Sequence, residues 1–479
     1  MEWWWSPLRL SLLPLVVALL AVSLWRPGSL HSQYLRVLSG STGGPLPDET
    51  SLQFLLQRQA KQSSSALPII SWQPDADFIQ ELHLLRIPVV LKNTIVETWQ
   101  ARHHWTPSYL SQRKDSKGQE LTLLHARNGS DPLFIGAVMK PDFMEPALLR
   151  PLVAEKGFMY RSDSINLSDF LFHEKSTNEY HFYTGPLYYF EPALQLDVEP
   201  LHLLTLDKQL SVPNVWMGHA GVKVQCHYDR SYNLVVQLYG HSRWTLHPPK
   251  DALQLGLFPS IHPSYHHSQL VDEDLSNTTD YEVELDPGDL LYIPPYWFYS
   301  MELVDTSIAV TVVSPSEEEV LWSHLNTPLP FDTQRFDRKK RVVVARTLIT
   351  LLFSISGGKA QHVYAPPILQ DLVSNVLLGN RYKRLKHNLR PLHNQVLEAE
   401  LQETQCFRKG KSGQDEPALD RVEWLTLVML ADEKNSILQR VSRYGEGLAD
   451  TFLADYVEQL LWWAVGWRDV TAVLQHCFV

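Results

Sequence analysis

Two stretches near the C-terminus carry apolar residues at three- and four-residue spacing: EWLTLVMLADEKNSILQRVSRY (423–444) and LADTFLADYVEQLLWWAVGW (448–467). That period puts the apolar positions on one face of a helix. RKKRVVVARTLITLLFSIS (338–356) predicts a third helix with a basic first turn, and Arg346 interrupts it, so it is not read as a membrane span. The composition changes near Asp337, and residues 337–479 are expected to form a C-terminal helical region. Its apolar stripes must pack on themselves, on the preceding domain or on a second copy of the chain. The Trp462, Trp463 and Trp467 cluster is expected to be core. The middle of the chain follows another period. VQCHYDRSYNLVVQLYGHSRWTLHPP (224–249) reads as strand, where residues two apart share a face.

The N-terminus has neither period. Leu10 to Trp25 is sixteen residues without a charge, flanked by Arg9 and Arg26. It is longer than an ordinary signal-peptide core and shorter than a comfortable membrane span. Trp3, Trp4 and Trp5 suit a membrane interface, and Ala21 and Ser23 fit a small-x-small cleavage site. Residues 1–26 therefore predict a signal peptide or a signal-anchor helix. Residues 27–67, with GSTGGPLPDE and KQSSS, read as a polar linker with a short helix near Ser51–Lys61. The domain between linker and helices spans 68–330. Within it, IHPSYHHSQLVDEDLSNTTDYE (261–282) reads as a polar loop, and His262, His266 and His267 are expected to be solvated there.

A net charge of −11, from 42 basic and 53 acidic residues, argues against a nucleic-acid surface. The sequons at Asn128, Asn166 and Asn277 agree with a secretory-pathway lumen, endoplasmic reticulum or Golgi, for a single-pass membrane or secreted protein. Three cysteines leave at least one thiol unpaired within the chain. Cys406 and Cys477 are candidates for a disulfide, and alternation turns Cys226 away from His227.

The candidate chemistry lies at His227 and Asp229. Two residues apart on a strand, an imidazole nitrogen and a carboxylate oxygen converge on one metal ion, and a second, distant His would complete the facial arrangement that holds non-haem Fe(II). The context extends well beyond this short pattern. RIPVVLKNTIVETW (86–99), HHWTPSYL, NVWMGHAGVKVQCHYDRSYN (214–233), YGHSRWTLHPP (239–249) and VELDPGDLLYIPPYWFYSMEL (283–303) follow one another in order. Together they resemble the JmjC/cupin-like hydroxylases, the Fe(II)- and 2-oxoglutarate-dependent family that includes the asparaginyl hydroxylase inhibiting hypoxia-inducible factor. The resemblance implies a mainly β fold, a double-stranded β-helix (jelly-roll) barrel, followed by the helical region. It implies His227 and Asp229 as metal ligands and Asn233 as a co-substrate contact. It also implies a His shortly after the Tyr292–Phe298 element and a Lys two residues after Gly240. Tyr299 and Ser242 stand in their places. Arg243 is the nearest cation, and alternation turns it outward unless a bulge shifts the register. Tyr299 is read either as a phenolate ligand or as an aromatic filling the barrel. The expected function is a weakly active or non-catalytic protein-binding module. The alternative is an active oxygenase that hydroxylates a protein side chain. Relatives often dimerise through C-terminal helices, which implies a homodimer.

Overall fold

The computed structural model describes residues 67–72, 82–83, 86–113, 121–126, 133, 161–165, 167–172, 180–199, 213–262, 264–270, 278–354, 366–382, 419–466 and 469–478. The charge-free N-terminal segment, nearly all of the polar linker, Cys406, Trp467 and the three sequon asparagines lie outside them. Among the described helices, none is long and apolar enough to cross a membrane.

Among the described residues, thirteen strands form two sheets. They are β1 (Ile69–Ser71), β2 (Val89–Lys92), β3 (Leu121–Ala126), β4 (Arg161–Ile165), β5 (Tyr180–Pro186), β6 (Asn214–Gly218), β7 (Lys223–Tyr228), β8 (Tyr232–Tyr239), β9 (Ser242–His247), β10 (Tyr281–Leu285), β11 (Leu290–Ile293), β12 (Phe298–Leu303) and β13 (Ser307–Ser314). The larger sheet runs β1-β2-β11-β8-β13-β6-β5-β3-β4 and the smaller one β10-β9-β12-β7. The central strands are rich in the branched and aromatic residues that suit a pleated surface: YNLVVQLY in β8 and SIAVTVVS in β13. One apolar cluster joins the inner faces of the two sheets. Trp216, Val235, Leu291 and Ile293 come from the larger sheet, and Trp244, Leu246, Tyr299 and Met301 from the smaller. This is the jelly-roll of a cupin.

Two tight turns set the register. In the turn Asp286–Asp289, Gly288 has φ +104, and a Cβ there would lie 2.4 Å from Glu97 Oε1. Gly240, with φ +68, ends β8, and a Cβ would lie 2.2 Å from the Thr306 carbonyl oxygen. Only glycine meets both the conformation and the close approach. The Gly240 turn starts β9 at Ser242, so the residue it places inward is Ser242.

After the strands come α1 (Glu317–Leu325), α2 (Arg338–Ser354), α3 (Pro366–Asp371, continuing as a wider π-type helix over Leu372–Tyr382), α4 (Arg421–Val441), α5 (Leu448–Val465) and α6 (Val470–Cys477). Asp420 and Glu423 form a reciprocal capping box at the start of α4. Of the three packing arrangements open to the apolar stripes, two are realised: the helices pack on one another and on the outer face of the smaller sheet. Leu348, Leu427, Phe452 and Leu461 share one apolar cluster with Cys226, Tyr228 and Phe298 of that sheet. The Tyr296 ring lies 5.1 Å from that of Phe452.

Buried charge fastens this seam. Arg381 Nη1 lies 2.8 Å from Asp455 Oδ1 and 2.9 Å from Glu458 Oε2. The Tyr228 hydroxyl donates to Asp455 Oδ2 at 3.3 Å, and the Ser260 N–H donates to Glu458 at 2.6 Å. Burial first, and then the Asp455 charge, push the Glu458 carboxyl up, and Arg381 acts against that shift. The pair is stable only as a pair, because each charge would otherwise sit desolvated. Arg381→Leu should therefore lower unfolding stability by about 3–5 kcal/mol, read from the urea midpoint. A shift no larger than that of a surface substitution would show that the network does not hold the helices to the sheet.

Candidate functional site

His227 is the penultimate residue of β7, and Asp229 lies one residue beyond that strand's end. Opposite them on β12, Tyr299 pairs directly with His227. The pairing then slips: Met301 faces Val224, so Gln225 and Cys226 of β7 stand against Ser300 alone of β12. Such a bulge re-aims side chains. Val224 and His227 both end up on the inner side, and Cys226 faces the helices, as alternation from His227 required. The His227 Nδ1–H donates to the Gln225 carbonyl at 2.7 Å, so Nε2 carries the lone pair. Burial lowers this imidazole to about 4.

Asp229 is held from three sides. The Tyr299 hydroxyl donates to Asp229 Oδ2 at 2.5 Å, and Asn233 Nδ2 donates to the same oxygen at 3.2 Å. Asn233 Nδ2 also lies 3.3 Å from the Tyr299 hydroxyl oxygen, while Asn233 Oδ1 is buried without a partner. The Asp229 carbonyl accepts the Tyr296 N–H at 2.8 Å. Tyr296 adopts φ +63, a strained conformation for a bulky residue, and that conformation turns its N–H back to Asp229. Burial raises the Asp229 carboxyl, and the hydrogen bonds from Tyr299 and Asn233 pull it back. Burial first, and then the Asp229 charge, push the Tyr299 phenol well above its ordinary 10. Tyr299 is therefore a neutral donor. It is 1% exposed and belongs to the inner apolar cluster. Of its two sequence readings, the barrel-filling one describes this packing, and a polar bond to Asp229 is added to it.

The interior around Ser242 is also held by hydrogen bonds. Ser242 is buried and faces inward. Its hydroxyl donates to Gln237 Oε1 at 2.8 Å and accepts the Trp244 Nε1–H at 2.8 Å. Gln237 Nε2 in turn donates to Ser307 Oγ at 2.7 Å. Arg243 is not brought into the site. Its side chain is 49% exposed on the outer face, beside Glu284 and Glu302. The ladders of β9 with β10 and β12 run through Ser242 and Arg243 without a shift, so no bulge turns the guanidinium inward. Trp244, two residues from Ser242, fills the interior instead, 5.6 Å from the Tyr299 ring and 6.3 Å from that of Trp216.

The polar loop departs from its sequence reading. His267 is 2% exposed and bridges to His227 from the side opposite Tyr299. The two imidazoles stack at 5.0 Å. The loop is pinned there: the Ser268 N–H donates to the Cys226 carbonyl, and Gln225 Nε2 donates to the Ser268 and Leu270 carbonyls. His262 also packs, 4.4 Å over Phe258, and burial lowers it to about 3. Local composition gave no sign of either contact. The inward Trp244, in contrast, was legible from its spacing of two from Ser242.

These residues do not fit a three-ligand ferrous centre. Tyr299 spends its proton on Asp229 and cannot ionise easily. Among the described residues, no group of three His, Cys, Asp or Glu side chains converges on one point. Among the described residues, no cation faces inward near Ser242 to meet a remote carboxylate. The arrangement closes a polar trio inside an apolar sandwich.

Removing the Tyr299 hydroxyl, as in Tyr299→Phe, should leave Asp229 short of a donor and cost about 1–3 kcal/mol, measured by urea unfolding. A neutral result would mean that Asp229 does not depend on it. Acid should also destabilise the fold. His83 and His227 remain neutral down to about 4 and His262 to about 3, whereas the unfolded rings take protons near 6.5. Unfolding thus takes up protons as pH falls below 6.5, and stability present above that pH is lost toward pH 4. The urea midpoint should fall over this window, and His83→Phe should flatten the slope. A flat profile would mean that these rings are not held neutral.

Comparison with known proteins agrees with this architecture. Residues 75–312 match the family described as Cupin-like domain. The chain is 21% identical over 315 residues to tRNA wybutosine-synthesizing protein 5 of Gallus gallus, covering 60% of this chain and 87% of that protein. It is 27% identical over 263 residues to HSPB1-associated protein 1 of Homo sapiens, covering 50% of this chain and 49% of that protein. It is 30% identical over 114 residues to lysine-specific demethylase JMJ31 of Arabidopsis thaliana, covering 22% and 21%. The chain thus spans most of the first of these relatives and half or less of the other two. Residues 75–312, with their two-sheet core and inward His227–Asp229 pair, form a cupin-like domain similar to these JmjC-type relatives.

Proposed function

We propose that this protein is a secretory-pathway JmjC/cupin-like module that binds a protein partner and turns over 2-oxoglutarate weakly or not at all. The observation that carries the reading is the Tyr299 hydroxyl. It donates to Asp229 from the place where the family resemblance expects a second metal-binding imidazole. Ser242, locked to Gln237 and Trp244, supports it from the co-substrate side. Each change weakens what the other would need. A metal with fewer ligands relies on chelation by the co-substrate, and the co-substrate lacks its ammonium partner.

The compartment is read from the charge-free N-terminal segment, the three sequons and the disulfide bond at Cys477. Disulfides persist in oxidising compartments. The N-terminal segment, if uncleaved, anchors the protein to the membrane. The net charge of −11 favours a protein over a nucleic acid as partner. Val422, Leu425 and Met429 form an exposed stripe along α4, which suits a homodimer seam.

The alternative is an active oxygenase that hydroxylates a protein side chain with Fe(II) and 2-oxoglutarate. It is favoured by one observation, the second imidazole that His267 brings beside His227. Succinate release from 2-oxoglutarate separates the two. Wild type should stay near background, and His227→Ala should not change it. Robust release that vanishes in His227→Ala, and in His267→Ala, would sink the proposal in favour of the alternative. Tyr299→His combined with Ser242→Lys should raise the affinity for Co²⁺ and for 2-oxoglutarate, measured by calorimetry. No gain in a folded double variant would show that the interior is closed for another reason.

A further inference from the structure

Strand β7 has a second face. Tyr228 and Arg230 point away from the sandwich toward the C-terminal helices, and beside Arg230 opens a cavity of about 720 Å³. Its walls come from the loop at Ser260–Tyr265, from the end of α1 and the segment after it, and from α5. It is separate from the His227–Asp229 site, which lies on the opposite side of the strand. Its volume is in the range of small-molecule pockets.

The lining is aromatic with one cation. Trp322, Tyr265, Tyr456, Trp462 and Trp463 surround Arg230. The Arg230 guanidinium carbon stands 4.2 Å from the Trp322 ring centroid and 5.9 Å from that of Tyr265. Its Nε is buried and has no hydrogen-bond partner. Among the described residues, no carboxylate lies within ion-pair distance of it. The acid nearest in influence, Asp455, is already engaged by Arg381 and Tyr228. A cation stacked on indole keeps its N–H edges for an acceptor in the ring plane. A guanidinium matches a carboxylate there through two parallel bonds. Among the described residues, the Tyr456 hydroxyl and the Trp463 indole N–H, both on the wall, have no hydrogen-bond partner.

We propose that this cavity binds a small organic carboxylate, its acid group on Arg230 and its planar apolar body among Trp322, Trp462 and Trp463. The stack of Arg230 on Trp322 pre-organises the cation, and the tryptophans supply flat apolar area. The unpartnered Nε distinguishes this from an arginine that merely packs. A structural arginine at this depth would be expected to have its donors satisfied.

The full chain is titrated calorimetrically with 2-naphthoate and with its neutral isostere 2-naphthamide. Wild type should prefer the carboxylate by about ten-fold or more, the scale of one charge-assisted hydrogen bond. Arg230→Gln should abolish that preference by weakening 2-naphthoate alone, and Arg230→Lys should keep part of it. Trp463→Ala should weaken both probes. If Arg230→Gln does not fold, the isostere preference in wild type and the loss of both probes in Trp463→Ala decide. Equal affinity for the two probes, unchanged 2-naphthoate binding in a folded Arg230→Gln, or no heat at millimolar probe would overturn the proposal and leave the Arg230–Trp322 stack as packing.

Discussion

The strand period of two, imposed on β7, organises this protein. His227 points into the sandwich, while Cys226 and Tyr228 point out into the helical region. One short strand therefore carries the candidate site on one face and the helical seam on the other. A bulge opposite Tyr299 and Met301 fixes which residues take which side. A slip of one residue would exchange the two sets, burying Tyr228 in the sandwich and turning His227 and Asp229 toward the helices. The two parts of the chain are thereby made to agree on a single register.

The interior of the sandwich holds its polar groups through neutral hydrogen bonds. A buried carboxylate needs compensation, and Asp229 obtains it from a phenol and an amide. The donors are neutral, so the trio places no net positive charge in the core and satisfies Asp229 without a cation. The same substitution of neutral hydrogen bonds for charge recurs around Ser242, Gln237 and Ser307. Apolar bulk from Trp216, Trp244 and Tyr299 occupies the space between. Hydrogen-bonded polar groups inside an apolar layer rigidify it.

The outer side of the same strand follows the opposite policy. There the charges are kept and paired: Arg381 with Asp455 and Glu458, reached by Tyr228 and Ser260. Lys434 caps the end of α1 by donating to the His324 carbonyl and the Thr327 hydroxyl. These contacts join residues far apart in sequence, so they position the helices against the sheet more specifically than apolar stripes can. Arg230 differs from these groups in lacking an acidic partner, and it lines the cavity between them.

The sequence by itself determined the elements and the faces. The C-terminal helix read over 338–356 spans Arg338–Ser354, and those read over 423–444 and 448–467 span Arg421–Val441 and Leu448–Val465. Period alone set them, because a helix buries every third or fourth residue whatever it packs against. Alternation likewise placed His227 inward, Cys226 outward and Arg243 outside. That Tyr299 and Ser242 stand where the resemblance expects an imidazole and an ammonium was legible because the motifs fix those positions in the chain. What only the tertiary structure decided was the set of contacts between distant segments. The stacking of His267 on His227 depends on a loop folding back along an open strand edge, and polar composition predicts solvent for such a loop. The bond from Tyr299 to Asp229 depends on the β7–β12 register, and the bulge that sets it leaves no local mark. The Arg381 network and the Arg230 cavity depend on where helices from the end of the chain come to rest. Periodicity specifies which face of an element is buried, and only packing specifies its neighbour.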